Sequence, residues 1–518
     1  MRLPTPAIVA LLAALWALVV TPWRWTGIAS WREGEAVGHL WRAFQATHPD
    51  RVWAQVPVGD PRPLVDPVHL PAFALGFLVD PAFAWNLVAG LDTAVAFAGG
   101  ATLGAVVGGR PGALVGGAFL GGHAFLAGQQ VFGLTESGTL GWLAFAIAGA
   151  WSRASLGLVA VALGGLGWAA SGPYAAVFGA FAAPWVLAAT DPSRRVPVVA
   201  AGLPGVVLAV ALAGTAVGSG AFDDRTGAAG ARLAWDPGWR VMPSGGTDVL
   251  PLFIGPGGVV DSGRSVYLGL VGLAIGAVGL ASGRRDVRLA GAGAGGLLIV
   301  ALGTSLRIAG VRVGPLPWAL VDDLPAIGLL HHTWRAVGPA VVLLVPAVAA
   351  GAAAWSRWAV PLAVAVVLDA LVVGGNPWPR ATFDPRPAVA SVAGDGALLI
   401  VPFERADGFV AAARGRDAAW GLYLGRPVSG GSEGLSPVAT RNRLAAAADA
   451  ACGGPAAGAF GDPAALDATV RQGALRALRT AGFDTLVAVA PSEACTARLS
   501  GWLGPARLAD GVALWTLP

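Results

Sequence analysis

Apolar runs of membrane-spanning length dominate the first 375 residues. They place eleven helices, at about 6–25, 81–108, 111–128, 139–152, 154–170, 173–190, 196–218, 265–283, 287–308, 336–355 and 357–375. A run of roughly 20 apolar residues is what crosses the hydrocarbon core of a bilayer. The polar gaps between the runs are of two kinds. Alternate gaps are short and carry arginine: Arg110, Arg153, Arg194 with Arg195, Arg284 with Arg285, and Arg357. The other segments include four long ones, 26–80, 219–264, 309–335 and everything after 376. With Arg2 and the N-terminus in the cytoplasm, the positive-inside rule puts all five arginine gaps in the cytoplasm and every long segment outside.

The pattern changes near residue 380, where long apolar runs give way to polar, loop-rich sequence. Residues 396–403 (GALLIVPF) predict a buried strand. A helix is predicted from Pro463 to Ala481, capped by Asp462 and stopped by Gly482. TLVAVA (485–490) and GVALWTLP (511–518) predict further strands. The fold class expected is therefore a polytopic α-helical membrane protein with about 11 transmembrane helices and a C-terminal extracytoplasmic α/β domain. The membrane domain is 1–378, with its long first outer loop at 26–80, and the α/β domain is 379–518. Cys452 and Cys495 both fall in that outer domain. They are open to two readings, a disulfide or two free, part-buried thiols. The N-terminal run has a signal-peptide look, but no small-x-small cleavage site follows it. Trp23 and Trp25 suit an interfacial belt, so an uncleaved first membrane helix is expected.

Composition agrees with this picture. Hydrophobic residues make up 55% and charged residues 12% of the 518, against about 25% charged in soluble domains. Mean hydropathy is +0.65. These values exclude a soluble enzyme, a disordered chain and a fibrous one. The 76 glycines suit close helix packing in a membrane. All 34 basic residues are arginines and are scattered singly between apolar runs. A nucleic-acid binder would cluster them on one face, so no nucleic acid is expected as a partner.

Candidate chemistry lies in the outer loops. The first loop holds Glu33, Glu35, Asp50, Asp60, Asp66, His39, His48 and His69. Glu35, His39 and Arg42 share a face if 33–47 is helical, with Leu40, Trp41 and Phe44 forming an apolar face on the membrane surface. A carboxylate beside the bilayer can act as general base toward a sugar hydroxyl; the plainer reading is a solvated amphipathic helix. The histidines and acids leave a divalent metal open as a cofactor, although no HxxxH or HExxH spacing occurs. Glu136, in GLTESG, is either a group facing a wet cavity or a turn residue at the headgroups. Inside an apolar helix, His123 suits a packed core histidine. The last outer loop ends in His331, His332 and Arg335, with Asp322 and Asp323 upstream. Arg335 is placed either to clamp a lipid-linked phosphate through its guanidinium fork or to snorkel to the headgroups.

The order of these pieces resembles the GT-C fold of membrane glycosyltransferases, in the bacterial branch related to YfhO-type proteins. The residues that carry the resemblance are Gly34-Glu35, His39, Trp41 and His48-Pro49 in the first loop. They continue with Asp80-Pro81 through Trp85-Asn86, GLTESGTLGW at 133–142, Tyr267-Leu268-Gly269 and ALGTS at 301–305. The stretch from Leu316 to Pro339, VPF at 401–403, the LYLGRPVSGG run at 422–431, ALRTAGFDTLVA at 477–488 and the closing GVALWTLP complete it. The resemblance implies an inverting transfer of sugar from a polyprenyl-phosphate donor to an envelope glycan, lipid or protein at the outer face of a bacterial cytoplasmic membrane. It makes Glu35 the base, lets Glu136 line the cavity and turns Arg335 toward the donor phosphate. It also groups His39, His331 and His332 with the substrate-binding residues. The family's first-loop acid is usually Asp, so Glu35 departs from it by one methylene, and Asp60 and Asp66 are the alternative bases.

Two other functions fit the same scaffold. One is a non-catalytic membrane scaffold or envelope-assembly factor with the outer domain as its binding module. The other is a secondary transporter, which calls for internal repeats and charges at mid-membrane. Apart from Asp92, His123 and Asp369, helix interiors lack such charges near mid-membrane, and no two halves of the chain resemble each other.

Overall fold

A computed structural model of the protein describes residues 6–20, 43, 67–132, 139–171, 173–218, 246–254, 266–321, 333–373, 394–403, 420–421, 423–424, 426, 428–431, 434–435, 442–454, 466–509 and 511–518. Two compact units emerge. The first is helical and contains most of the residues up to Val373; the second holds the C-terminal residues together with Leu70–Trp85.

In chain order the helices are α1 (Pro6–Val20), α2 (Leu70–Phe77), α3 (Pro81–Gly121), α4 (Ala124–Phe132), α5 (Leu140–Trp151), α6 (Leu156–Ala169), α7 (Pro173–Ala189) and α8 (Arg195–Gly218). They continue with α9 (Val249–Ile254), α10 (Leu270–Ala281), α11 (Arg285–Ala301), α12 (Val337–Ala354) and α13 (Ala359–Val372). Among the described residues, three stretches are long and apolar enough to cross a membrane by length and composition: Phe83–Gln130, Pro192–Leu212 and Thr333–Ala354. Four more apolar helices have 10–17 residues.

α3 is two antiparallel arms. Gly109, at φ 62, breaks it where Arg110 and Pro111 follow. A positive φ strains any residue with a Cβ, and proline suits the first turn of the second arm. The arms touch through Gly100 against Gly116 and Gly104 against Gly112. The helix expected over 111–128 is interrupted at Gly122, and α4 restarts under His123, whose Nδ1 accepts from the Phe125 amide at 3.1 Å.

α12 is the centre of the helical unit. Every residue from Val337 to Ala352 is buried. Its neighbours reach it through glycine: a Cβ on Gly279 of α10 would overlap the Ala347 carbonyl, and one on Gly108 the Ala349 carbonyl. On α12 itself, Gly351 lies against the Ile275 carbonyl. Such backbone approach gives close van der Waals packing where no solvent drives helices together. Outward faces are apolar too. Val199, Leu203, Val206, Val207 and Val210 stand exposed along α8, and Val360, Val364, Leu368 and Val372 along α13. Apolar stripes of this length on a folded surface mark contact with something other than water.

The arginine-bearing turns gather at one end of this unit. Arg284 donates to the Val107 carbonyl at 2.6 Å and pairs with Asp286. Arg195 caps α7, donating to the carbonyls of Ala188 and Thr190 at 3.2 and 3.3 Å. Gly157 lies against Ser152 and Arg194, and Gly108 against Ala349 and Ala353 near the Arg357 turn.

One expected helix ends early. The run over 287–308 stops at Ala301, and Ser305–Ile308 is β1, paired antiparallel with β2 (Val311–Pro315). Gly303 leaves the helix at φ 78, and Ala309 and Gly310 turn at φ 54 and 82. Two consecutive positive φ values match a two-residue hairpin turn. Asp248 secures it by accepting from the Ala309 and Gly310 amides at 3.1 and 2.7 Å.

The second unit is built on a four-stranded sheet. Its strands are β3 (Ala397–Val401), β6 (Phe483–Val489), β7 (Arg507–Ala509) and β8 (Val512–Thr516), in the order β3-β6-β8-β7. A two-residue pair, β4 (Gly430–Gly431) with β5 (Gly434–Leu435), stands apart. β3 runs parallel to β6, and the other pairs are antiparallel. Helices α14 (Arg443–Ala451), α15 (Ala468–Thr480) and α16 (Glu493–Leu503) cover one face, packing Leu444, Leu478 and Leu499 against Leu399, Val401 and Leu486. Trp420 and Val428 cover the other face, so β3 is buried throughout. α15 begins five residues later than the Pro463 start expected: its cap is Asp467, which accepts from the Val470 amide at 2.8 Å. Asp462 and Pro463 lie outside the described residues.

Cys452 and Cys495 are joined in a disulfide that ties the end of α14 to α16. Buried Arg426 pairs with Asp484 and donates to the Gly396 carbonyl at 2.7 Å, locking the start of β3 to β6. Burial pulls the guanidinium below its ordinary pKa, while Asp484 opposes the shift. Within this same unit Tyr423 donates to Asp80 Oδ1 at 2.9 Å.

Two outcomes follow from this packing. Gly279→Leu or Gly351→Leu should cost about 3 kcal/mol in thermal unfolding of the detergent-solubilised protein. Gly295→Leu, whose Cβ meets nothing within 4 Å, should leave the melting temperature unchanged. Equal melting temperatures for all three would refute the backbone-contact account. The disulfide spans 43 residues. Serine at both positions should lower the opening free energy of the sheet by about 4 kcal/mol, read as faster hydrogen exchange in β6. Unchanged exchange would show that the bridge restrains nothing.

Candidate functional site

The helical unit buries a set of polar side chains. They include Asn86, Asp92 and Thr93 in the first arm of α3, Gln129 and Gln130 on α4, Thr139 before α5, and Thr333 and Arg335 before α12. An ionisable or amide group among apolar helices is costly unless it is paired, so each needs an account.

Some are structural. His69 closes the turn Pro67–His69, and its Nε2 meets Asp92 Oδ1 at 2.7 Å with both side chains buried. Gln130 donates to the Ala89 carbonyl at 3.0 Å and to Thr93 Oγ1 at 3.2 Å, joining α4 to α3. His123 uses both ring nitrogens, the second reaching the Leu268 carbonyl at 3.3 Å. Asp369 accepts from the Tyr267 hydroxyl at 2.6 Å and the Val271 amide at 3.0 Å, capping α10. An acid at a helix N-terminus satisfies an orphan amide and meets the positive end of the helix dipole. The three charges that the sequence places inside helices therefore all hold helices together.

The start of α12 is different. Thr333–Ala336 form a single 3-10 turn, and all four residues are buried. The helix then begins at Val337 with no side-chain cap. The Arg335 guanidinium carbon lies 4.5 Å from the Tyr174 ring centroid and 5.7 Å from that of Trp334. Arg335 is only 8% exposed, which corrects the snorkelling alternative: its charge is held inside the protein on an aromatic face. Cation–π stacking stabilises such a guanidinium by roughly 2 kcal/mol when desolvated.

Two buried side chains on neighbouring elements are among those with no hydrogen-bond partner among the described residues. Gln129 is fully buried, and neither amide atom has a hydrogen-bond partner among the described residues. The Thr139 hydroxyl, also buried, is in the same state. An orphaned buried polar group costs about 1–3 kcal/mol, so native proteins rarely keep one without a reason.

Of the residues assigned a catalytic or substrate-binding role from sequence, Arg335 is the one described. Glu35, Asp60, Asp66, His39, Glu136, His331 and His332 lie outside the described residues. Among the described residues no group of three His, Cys, Asp or Glu side chains stands close enough to hold a metal ion. Gln129, Gln130 and Thr139 were not singled out from sequence; His69 was, as a candidate metal ligand, and Asp92 as an ionisable residue inside a helix, but not as partners of each other. Two adjacent glutamines inside the apolar run AFLAGQQVF were the available signal.

No family model, no curated protein and no solved structure matches this chain.

The His69–Asp92 contact should appear in a double-mutant cycle. With His69→Phe and Asp92→Leu, the coupling measured by thermal unfolding should be about 1–3 kcal/mol. Effects that simply add would show that the pair contributes no joint stability.

Proposed function

We propose that the protein is a GT-C-like membrane glycosyltransferase, acting at the outer face of a bacterial cytoplasmic membrane. In this reading about eleven helices span the bilayer. The arginine end faces the cytoplasm, as the positive-inside rule requires. The end bearing Arg335, and the disulfide-bonded C-terminal unit, face outward. The Cys452–Cys495 bridge supports that side, because disulfides persist in oxidising compartments.

The observation that carries the reading is the buried Arg335 guanidinium at the uncapped start of α12. A fixed guanidinium fork favours a phosphate oxyanion. The site lies among apolar helices, which suits a phosphate delivered on a polyprenyl chain. The reaction is then a single inverting displacement. An acceptor hydroxyl forms the new bond to the anomeric carbon, its proton passes to a first-loop carboxylate, and the bond to the donor phosphate breaks. Polyprenyl phosphate leaves with the charge that Arg335 is placed to stabilise. Glu35 is the proposed base, with Asp60 and Asp66 behind it. The partial charges that a transporter would need are already engaged: Asp92, His123 and Asp369 each hold a neighbouring helix.

The test compares polyprenyl-linked sugars and surface glycans, by mass spectrometry, in a strain lacking the gene and in complemented strains. Wild type should restore a missing glycan. Arg335→Met should reduce it at least about 100-fold, and Glu35→Gln likewise. Full restoration by Arg335→Met would contradict the phosphate role. An unchanged glycan profile in the deletion strain would favour the non-catalytic scaffold.

A further inference from the structure

We infer that Gln129 and Thr139 read the hydroxyl groups of a sugar attached to the phosphate held at the start of α12. This rests on the transferase reading for the phosphate, and adds which residues of the chain recognise the transferred group.

Phe125 and Gln129 are four residues apart on α4, so their side chains share a face. That face is turned toward α12: the Phe125 ring centroid lies 6.0 Å from that of Trp334, and a Cβ on Gly338 would meet Phe125 at 2.8 Å. Gln130, one position on, points instead to α3 and is satisfied there. A Cβ on Gly338 would also meet the Leu140 side chain at 2.9 Å, so the start of α5, with Thr139 just before it, packs on the first turn of α12. Two fully buried side chains from different helices thus bring an amide and a hydroxyl to the turn that carries Arg335, and both are unsatisfied among the described residues.

Their chemistry specifies the ligand. A carboxamide is neutral and offers donors and an acceptor side by side; a hydroxyl does both with one atom. Neither favours an anion over a neutral polyol, so phosphate alone is not what they await. Adjacent sugar hydroxyls supply a matching donor and acceptor pair, and a site built to bond hydroxyls discriminates strongly against a ligand lacking them.

The experiment uses the full-length protein in detergent. Affinities are measured for farnesyl phosphate and for farnesyl phosphate glycosylated with mannose, glucose, galactose or arabinofuranose. Wild type should bind at least one glycosylated form about tenfold more tightly than farnesyl phosphate. Gln129→Leu should erase that preference while leaving farnesyl phosphate binding unchanged. It should also raise the melting temperature of the ligand-free protein, because it removes an unsatisfied amide, so misfolding cannot explain the loss. Thr139→Val should weaken the preference in the same direction. Arg335→Met should weaken both ligands. If Gln129→Leu keeps the preference, or if wild type shows none, the inference is overturned while the phosphate reading stands. If wild type binds neither ligand, both fall.

Discussion

The fold of the helical unit depends on a helix with no outward face. From Val337 to Ala352, α12 is enclosed by protein. It can be enclosed because glycine lies at the contacts, Gly279 and Gly108 on its neighbours and Gly351 on α12 itself, each meeting a carbonyl group instead of a side chain. This is dispersion packing at backbone distance, the kind that holds helices together when water is absent. It also leaves the interior of the bundle without room for polar groups.

That exclusion sorts the polar residues. Arginines occupy the turns at one end, where Arg195 and Arg284 bond the last carbonyls of neighbouring helices. Most of the buried acids, amides and histidines lie away from those turns. Most are spent on fixing one helix to the next, as Asp369 does for α10 and Gln130 for α3. Near the start of α12, where a guanidinium stacks on Tyr174, the pattern fails at Gln129 and Thr139, which have no partner among the described residues. Local departures from an otherwise consistent design are where function is expected. The reading of the protein as a transferase grows from that contrast.

Much of the helical architecture was legible in the chain. Long apolar runs and isolated arginines are local signals, and they placed the arms of α3, the α5–α6 hairpin and the start of α12 within a few residues. The β1–β2 hairpin was not legible, because LRIAGVRV continues an apolar run and its turn depends on Asp248, some sixty residues upstream. Strand order in the C-terminal sheet is a matter of distant pairing, such as Leu399 with Leu486, which no local pattern encodes. The start of α15 went to the wrong aspartate because Asp462-Pro463 and Asp467 both read as caps. At the site, Arg335 was visible as a charge opening a membrane helix. Gln129 was overlooked since an amide carries no charge to stand out, and only packing distinguishes it from the satisfied Gln130.

The measurement closest to the central claim is photolabelling with a diazirine-bearing polyprenyl phosphate, applied to the protein in lipid nanodiscs and mapped by peptide mass spectrometry. The account predicts adducts on Thr333–Val337 and on the end of α4, suppressed by excess unlabelled polyprenyl phosphate and by Arg335→Met. Labelling confined to the exposed stripes of α8 and α13, with no competition, would mean that the lipid meets only the outside of the bundle and that the start of α12 binds no phosphate.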